Sequence, residues 1–381
     1  MTETRTSLAN EYSPNETWIA LLGRRDTPVD GVEDYCTFLA QALAQRGVAL
    51  KIERVEWAER GWVKALFRLW HSSAEWRGKW VLLQFTALNW SRRGFPVGAL
   101  VTLAILKRRG ARCAVVFHEF FGRSGPRWID RLRGAFQDWI GRALYQRADK
   151  SIFTAPLPTI AWLPKDGANA TFISIGANIP APEAKPRVAA DRNGAGRTVA
   201  IFCLSDPPHL QKQLDDISQA VRAAADAAAN LRVVFLGRGT AEAKDEIKSA
   251  FAQIPVKLSN LGLQDAKEIS RVLAESDVML CVRGHLYPSR GSALAGITCG
   301  LPIVGYAGAA EGTPLMEAGI QLVPYRDADA MGRALARILA DDELRAALGQ
   351  RSREAHGKFF SWNVIASRFL LSLNQNLYQE Q

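Results

Sequence analysis

The stretch RGSALAGITCGLPIVG, residues 290–305, reads as a turn, a short helix, a second turn and a buried strand. Arg290, Gly291 and Ser292 make the first turn, and Ala-rich residues carry the helix to Cys299-Gly300. After Leu301-Pro302, Ile303-Val304 has the apolar, β-branched character of a strand covered on both faces. A helix leaving a Gly/Ser turn presents unpaired N–H groups and the positive end of its dipole, a ready place for phosphate. The stretch is therefore either a phosphate cradle or only a tight connection between packed elements.

The same alternation extends in both directions. Toward the N-terminus, strands are expected at Thr198–Leu204, Val233–Leu236 and Val278–Val282, with helices at about 211–229 and 241–253 between them. Helices at 328–340, 342–356 and 362–378 follow. A first series runs from a strand at Trp18–Leu22 through a helix at 32–46 and strands at Val48–Val55, Trp80–Phe85 and Ala111–Phe117. Helices at 97–108 and 126–147 and strands near 150–154 and 171–175 complete it. Strands separated by helices imply α/β architecture with parallel, doubly wound sheets. Residues 181–196, rich in Pro, Ala and Gly without any period, read as a linker. The expected layout is a domain at 1–180, that linker, a second domain at 197–358 and a C-terminal helical segment at 359–381. Two such domains would face a central cleft at the carboxyl ends of their strands, where α/β proteins place ligands.

Composition narrows the function classes. The 381 residues are 48% apolar, enough for a core in each domain. The longest apolar run, Val97–Leu106, is shorter than the roughly 18 residues of a membrane span and is flanked by Arg92, Arg93, Lys107, Arg108 and Arg109. The opening MTETRTSLANEYSPNET lacks the apolar centre of a signal peptide, so a cytoplasmic protein is expected. Five cysteines without metal-ligand spacing fit reduced thiols. A net charge of +10 attracts anions. Trp57, Trp62, Phe67, Trp70, Trp76, Trp80 and Trp90 are interleaved with Lys64, Arg68, Arg77, Lys79, Arg92 and Arg93. Residues 62–70 of that region read either as an amphipathic helix docking on an anionic membrane surface or as a core-facing helix with solvated cations. Nothing resembles a nucleic-acid module, and no nucleic-acid partner is expected.

Several motifs in order resemble the retaining glycosyltransferases of GT-B fold, family 4. They are Asp30-Gly31-Val32-Glu33, Phe117-His118-Glu119-Phe120, Ile173 to Pro180, Ser276-Asp277-Val278 and Gly300-Leu301-Pro302-Ile303-Val304. The resemblance covers nearly the whole chain and implies two Rossmann-like domains, a C-terminal helix at 359–381 that crosses back to the N-terminal domain, and a nucleotide-sugar donor. It assigns Gly31, Gly291, Ser292, Ala293, Leu261, Gly262 and Tyr287 to the donor, with base recognition by backbone around Leu261-Gly262-Leu263. It places His118 against the transferred sugar and Asp30 and Glu119 on the acceptor or sugar side. Lys212 and Arg290 would stabilise the leaving diphosphate, which needs positive charge as it departs.

The chain departs from the family pattern at three places. Asp30 stands where the family has the first of two glycines. Ser205, Asp206, Pro207, Pro208 and His209 stand where its arginine belongs, with His209 a partial substitute. Tyr287 and Ala295 replace both members of its Glu-x7-Glu pair. Asp327-Ala-Asp329 has the spelling of a metal site but is read as the cap of a helix starting near Ala330, so no metal or other cofactor is expected.

The resemblance implies a metal-independent hexosyltransferase moving a sugar from a UDP- or GDP-sugar to a glycan or lipid-linked acceptor with retention, in cell-surface polysaccharide synthesis. Such a protein would be cytoplasmic, with a peripheral position on the inner face of the membrane as an option. Two rivals stay open: an inactive GT-B-fold binding or scaffold subunit, favoured by the missing glutamates and arginine, and a nucleotide-sugar epimerase.

Overall fold

The computed structural model describes residues 16–27, 30–119, 127–182, 196–205, 207–228, 230–308 and 313–374. Most of the expected linker, Phe120 and Asp206 lie outside these residues. The chain divides into two compact units, Met1–Ile173 with Ala366–Gln381 and Ser174–Ile365.

Unit 1 contains β1 (Glu16–Leu22), α1 (Gly31–Ala44), β2 (Val48–Arg54), α2 (Trp57–Arg60), α3 (Trp62–Ser72), β3 (Trp80–Phe85), α4 (Val97–Arg108), β4 (Arg112–Phe117), α5 (Trp128–Arg147), β5 (Lys150–Phe153) and β6 (Ala170–Phe172). The strands form one parallel sheet in the order β2-β1-β3-β4-β5-β6, with Ile19 opposite Val81 and Leu83 opposite Val115. Alternate strand residues explain the two faces. Ile19, Leu21, Val81, Leu83, Val115 and Phe117 share one core with Ala65 and Leu69 of α3, Leu103 of α4 and Ile140 and Leu144 of α5. Trp62 is not a surface anchor: its ring stacks on Trp57 at 5.0 Å between centroids and lies 6.5 Å from Trp90. Helix α1 buries Leu39 and Leu43, and the turn after it closes at Gly47, whose φ of 80° suits a residue without Cβ.

Unit 2 contains β7 (Thr198–Phe202), α6 (Pro207–Ala224), β8 (Arg232–Leu236), α7 (Lys244–Phe251), β9 (Lys257–Asn260), α8 (Ala266–Ala274), β10 (Val278–His285), α9 (Gly291–Thr298), β11 (Ile303–Tyr306), β12 (Ile320–Val323), α10 (Ala328–Ala340) and α11 (Asp342–Ala355). Its parallel sheet has the order β12-β11-β10-β7-β8-β9. The quoted stretch folds as the turn, helix, turn and strand it spells, and Gly300 takes the left-handed conformation after Cys299 with φ 70°. Buried Asp277 accepts the Thr198 N–H at 2.7 Å and lies 3.7 Å from Arg197 and 3.8 Å from Arg345. The Ser-Asp-Val motif thus anchors the start of β7. Asp327 caps α10 by accepting the Ala330 N–H at 2.7 Å, and Asp329 accepts from Gln219 at 2.8 Å.

Helix α12 (Trp362–Asn374) passes from one unit into the other. In unit 2, Trp362 Nε1 donates to the Ala177 carbonyl at 2.8 Å. In unit 1, Arg46 donates to Ser367 at 3.2 Å, Ser372 bonds to Thr171 at 3.2 Å, and Arg112 donates to the Leu373 carbonyl at 3.4 Å. Phe369, Leu370 and Leu373 are buried there. The units divide between Ile173 and Ser174, ahead of residue 180, because Ala177 and Ile179 join the core around α9.

Candidate functional site

In unit 2, the segments that follow β7 and β12 and the ends of β10 and β11 surround a pocket of about 200 Å³. Helical spacing brings His209, Gln213 and Asp216 of α6 to it, together with Ser205, Arg283, Tyr306, Tyr325 and Arg326. Gln213 is only 4% exposed; its Oε1 accepts the Ser205 N–H at 2.8 Å, while its Nε2 has no partner. Arg283 Nε and Arg326 Nη1 are likewise buried without an acceptor. Each unsatisfied buried donor costs on the order of 1–3 kcal/mol, so an acceptor-rich ligand is favoured here. Asp216, the one carboxylate among the described lining residues, accepts from the Tyr306 hydroxyl at 2.7 Å. Burial, then Asp216, raises the Tyr306 pKa, so it remains a phenol.

Backbone strain gathers at the same rim. Among the described residues, Cys203, Asn230 and Arg326 are the non-glycine residues with positive φ. Cys203 (φ 66°) directly follows β7, and Arg326 (φ 63°) follows β12. Such conformations cost about 1–3 kcal/mol each and concentrate at binding sites.

Beside the pocket, α9 starts without a side-chain cap. A Cβ on Gly291 would meet nothing within 4 Å, so the first turn is open. The Ser292 hydroxyl bonds to the Cys281 thiol, whose pKa burial pushes up to about 12; Ala293 is buried. Arg290 Nη2 donates to the His285 carbonyl at 3.1 Å, and the guanidinium lies 4.2 Å over the Tyr287 ring. That nitrogen also stands 4.0 Å from where a Cβ would sit on Gly284, which lines the pocket. Burial lowers the Arg290 pKa, and the Arg283 charge adds to the fall. A desolvated cation beside a second cation is a place for an anion.

Other expected donor residues are placed differently. The Leu261 N–H donates to Phe235 at 2.9 Å and the Gly262 N–H to Asn260 at 3.1 Å, while the Gly262 carbonyl accepts from Gly237 at 2.8 Å. The Leu261 carbonyl accepts from Gln264. That backbone has both N–H groups engaged within the fold, whereas the Leu263 side chain stands exposed. Lys212 is exposed on α6 and is not in the pocket lining, because the helical period turns His209, Gln213 and Asp216 to the pocket instead.

In unit 1, Asp30 is a buried helix cap. Its Oδ1 accepts from Val32 N at 3.1 Å and Glu33 N at 3.2 Å, and its Oδ2 accepts from Arg54 at 3.1 Å. The carboxylate occupies the start of α1 behind Gly31, which is exposed. His118 follows β4; its Nε2 lies 2.8 Å from Gln84 Oε1, and the Tyr35 ring meets its ring edge-on at 4.9 Å. Gln84 Nε2 donates to the Leu82 carbonyl at 3.2 Å, which fixes the amide and makes His118 Nε2 the protonated nitrogen. Burial pushes the His118 pKa down to about 4 against the pull of Asp30, so the imidazole is neutral near pH 7 and Nδ1 is left to accept. Glu119 Oε2 accepts from Ala87 N at 3.0 Å and holds the loop after β3.

Sequence reasoning missed Gln213, Arg283 and Arg326. Arg283 was accessible to it: it is the first charged residue after the apolar run Val278–Val282, where a parallel strand delivers ligand contacts. Arg326, beyond the short β12, had no such signal. Among the described residues, no cluster of His, Cys, Asp and Glu has the makings of a metal site.

Residues 198–341, from β7 to the end of α10, match the family model described as Glycosyl transferases group 1. Sucrose-phosphate synthase from Thermosynechococcus elongatus is 17% identical over 96% of this chain and 100% of its own, with a TM-score of 0.68. Anabaena HepE, solved in complex with UDP, is 12% identical over 94% and 100%, with a TM-score of 0.66. A glycosyltransferase from Rickettsia africae is 14% identical over 97% and 99%, with a TM-score of 0.64. The chain shares the fold of these proteins, GT-B. Comparison with curated protein sequences gave no match.

Proposed function

We propose that the chain is a glycosyltransferase that moves a sugar from a UDP- or GDP-sugar to a glycan or lipid-linked acceptor with retention, in cell-surface polysaccharide synthesis. The observation that carries this reading is the unit 2 pocket, where Gln213, Arg283 and Arg326 keep unsatisfied donors beside the uncapped start of α9. A diphosphate supplies the missing acceptors, and the helix start adds its dipole. In the reaction the bond from the sugar's anomeric carbon to the diphosphate oxygen breaks. The acceptor hydroxyl attacks from the same face, and its proton passes to the departing phosphate oxygen.

Arg283, Arg290 and Arg326, with His209, stabilise the charge that grows on that oxygen, so no metal is required for it. The role first given to Lys212 passes to these side chains. In unit 1, neutral His118 accepts a sugar hydroxyl at Nδ1, while Gln84 fixes its other nitrogen. Asp30 and Glu119 act as supports, through the start of α1 and the loop after β3.

Calorimetric titration of the protein with UDP and GDP in the presence of EDTA tests the reading. Heat with one of them is expected. Absence of heat with both overturns it in favour of a scaffold subunit.

A further inference from the structure

The outer face of the α3–α4–α5 layer in unit 1 combines two features that a water-facing surface avoids together. Eight of the fourteen large apolar side chains exposed among the described residues sit there: three on α3, two on α4 and three on α5. Val63 is 84% exposed, Phe67 68%, Trp128 71% and Trp139 55%, with Val101 and Leu132 beside them in helical register. Yet the inner faces of these helices are fully used, since Ala65, Leu69, Leu103 and Ile140 fill the core under them. The outward rings are therefore surplus to folding.

Charge on these three helices is mostly of one sign. Helices α3 and α4 contain no acidic residue, and α5 has only Asp130 and Asp138, both half-buried. Lys64, Arg108, Arg131 and Arg142 are exposed among the apolar residues, as is Arg68, which lies 3.2 Å from Glu56. Arg109 is held 4.9 Å over the Trp70 ring. Aromatic rings interleaved with cations on a rigid face match the boundary between acyl chains and anionic headgroups. A protein partner of ordinary composition would leave several of these cations unpaired.

We propose that this face docks on a lipid bilayer carrying anionic headgroups, with Phe67, Trp128, Leu132 and Trp139 entering the interface. The inference does not depend on sugar transfer, since docking is read without donor or acceptor. No helix among the described residues is long and apolar enough to cross a membrane, so the attachment is to the surface.

Flotation with vesicles of phosphatidylcholine alone, and of phosphatidylcholine mixed with phosphatidylglycerol, tests it. The wild-type chain should float with the mixed vesicles, less well as salt rises, and remain unbound with the neutral ones. A Phe67→Ser/Trp128→Ser/Trp139→Ser variant and an Arg131→Glu/Arg142→Glu variant should each bind on the order of tenfold more weakly. Both change only exposed residues, and thermal melting confirms that they fold. Brominated acyl chains should quench tryptophan fluorescence of the wild type, a reading that needs no variant. Failure of the wild type to float with either vesicle overturns the proposal. So does wild-type binding by both variants, or a wild-type dimer in solution that the triple variant dissolves.

Discussion

Helix α1 begins at Gly31 behind Asp30, and helix α9 begins at Gly291 behind Arg290. In sequence the two starts are alike: a strand, a loop, a glycine and a helix. In the structure the first is filled by its own carboxylate, which takes the N–H groups of Val32 and Glu33 and pairs with Arg54. The second has a cation at the cap position, no side-chain cap and open space over its glycine. A helix start binds an external anion only when the chain has not already supplied one. That single preceding residue separates a helix start closed by its own side chain from one left open.

The largest expected effect lies on the open side. Arg283→Ala should lower turnover with the preferred donor on the order of 10²–10³-fold, through loss of charge at the leaving diphosphate. Turnover within threefold of wild type would remove Arg283 from the mechanism. Arg290→Asp makes α9 resemble α1 most directly. UDP or GDP affinity should fall on the order of 10–100-fold, while the melting temperature holds or rises because the helix gains a cap. Unchanged nucleotide affinity in this variant would show that the start of α9 does not receive the phosphates.

The closed side predicts the opposite signature. Asp30→Ala should cost about 1–3 kcal/mol of stability in a denaturant titration, from a lost cap and a broken buried pair. Nucleotide affinity should stay as in the wild type. A fall in affinity without a fall in stability would make Asp30 a ligand contact after all.

How much of this was legible follows from where each partner lies in the chain. The turn at Arg290-Gly291, the stop at Cys299-Gly300 and the cap at Asp327 are local, and the sequence spells them within a few residues. Asp30 was set on the acceptor or sugar side instead, and its role as a cap is fixed together with Arg54, brought alongside by the β1–β2 pairing. Strands β9 and β12 went unread because they are short sheet edges, with Lys257-Leu-Ser-Asn260 offering one apolar residue. Lys212 was assigned by the resemblance, although only the structure tells which side of α6 faces the pocket. The unsatisfied nitrogens of Gln213, Arg283 and Arg326 are a property of packing that no pattern records.

His118 extends the contrast to protons. Its folded pKa of about 4 lies below the ordinary 6.5. Between these values the unfolded chain binds the extra proton, so stability rises with pH across the window and is lost as pH falls through it. His118→Asn should flatten the melting temperature between pH 6.5 and about 4 relative to wild type. An unaltered pH slope would mean that the imidazole is not held neutral by burial. The smallest effect is expected at Lys212→Ala, with donor affinity and turnover within about twofold of wild type, as for a solvated surface charge. A drop comparable to that of Arg283→Ala would return Lys212 to the site.

Helix α12 has a consequence for the order of assembly during synthesis. Unit 1 is discontinuous in sequence: its sheet is made first, but Ser367, Phe369, Ser372 and Leu373 leave the ribosome only after all of unit 2. Until then Arg46, Thr171 and Arg112 lack the partners that α12 brings, and the apolar surface that receives Phe369 and Leu373 faces water. The second unit can therefore finish folding while the first still waits for its last helix. A nascent chain stalled in that interval would be a natural client for chaperones that bind exposed apolar surface.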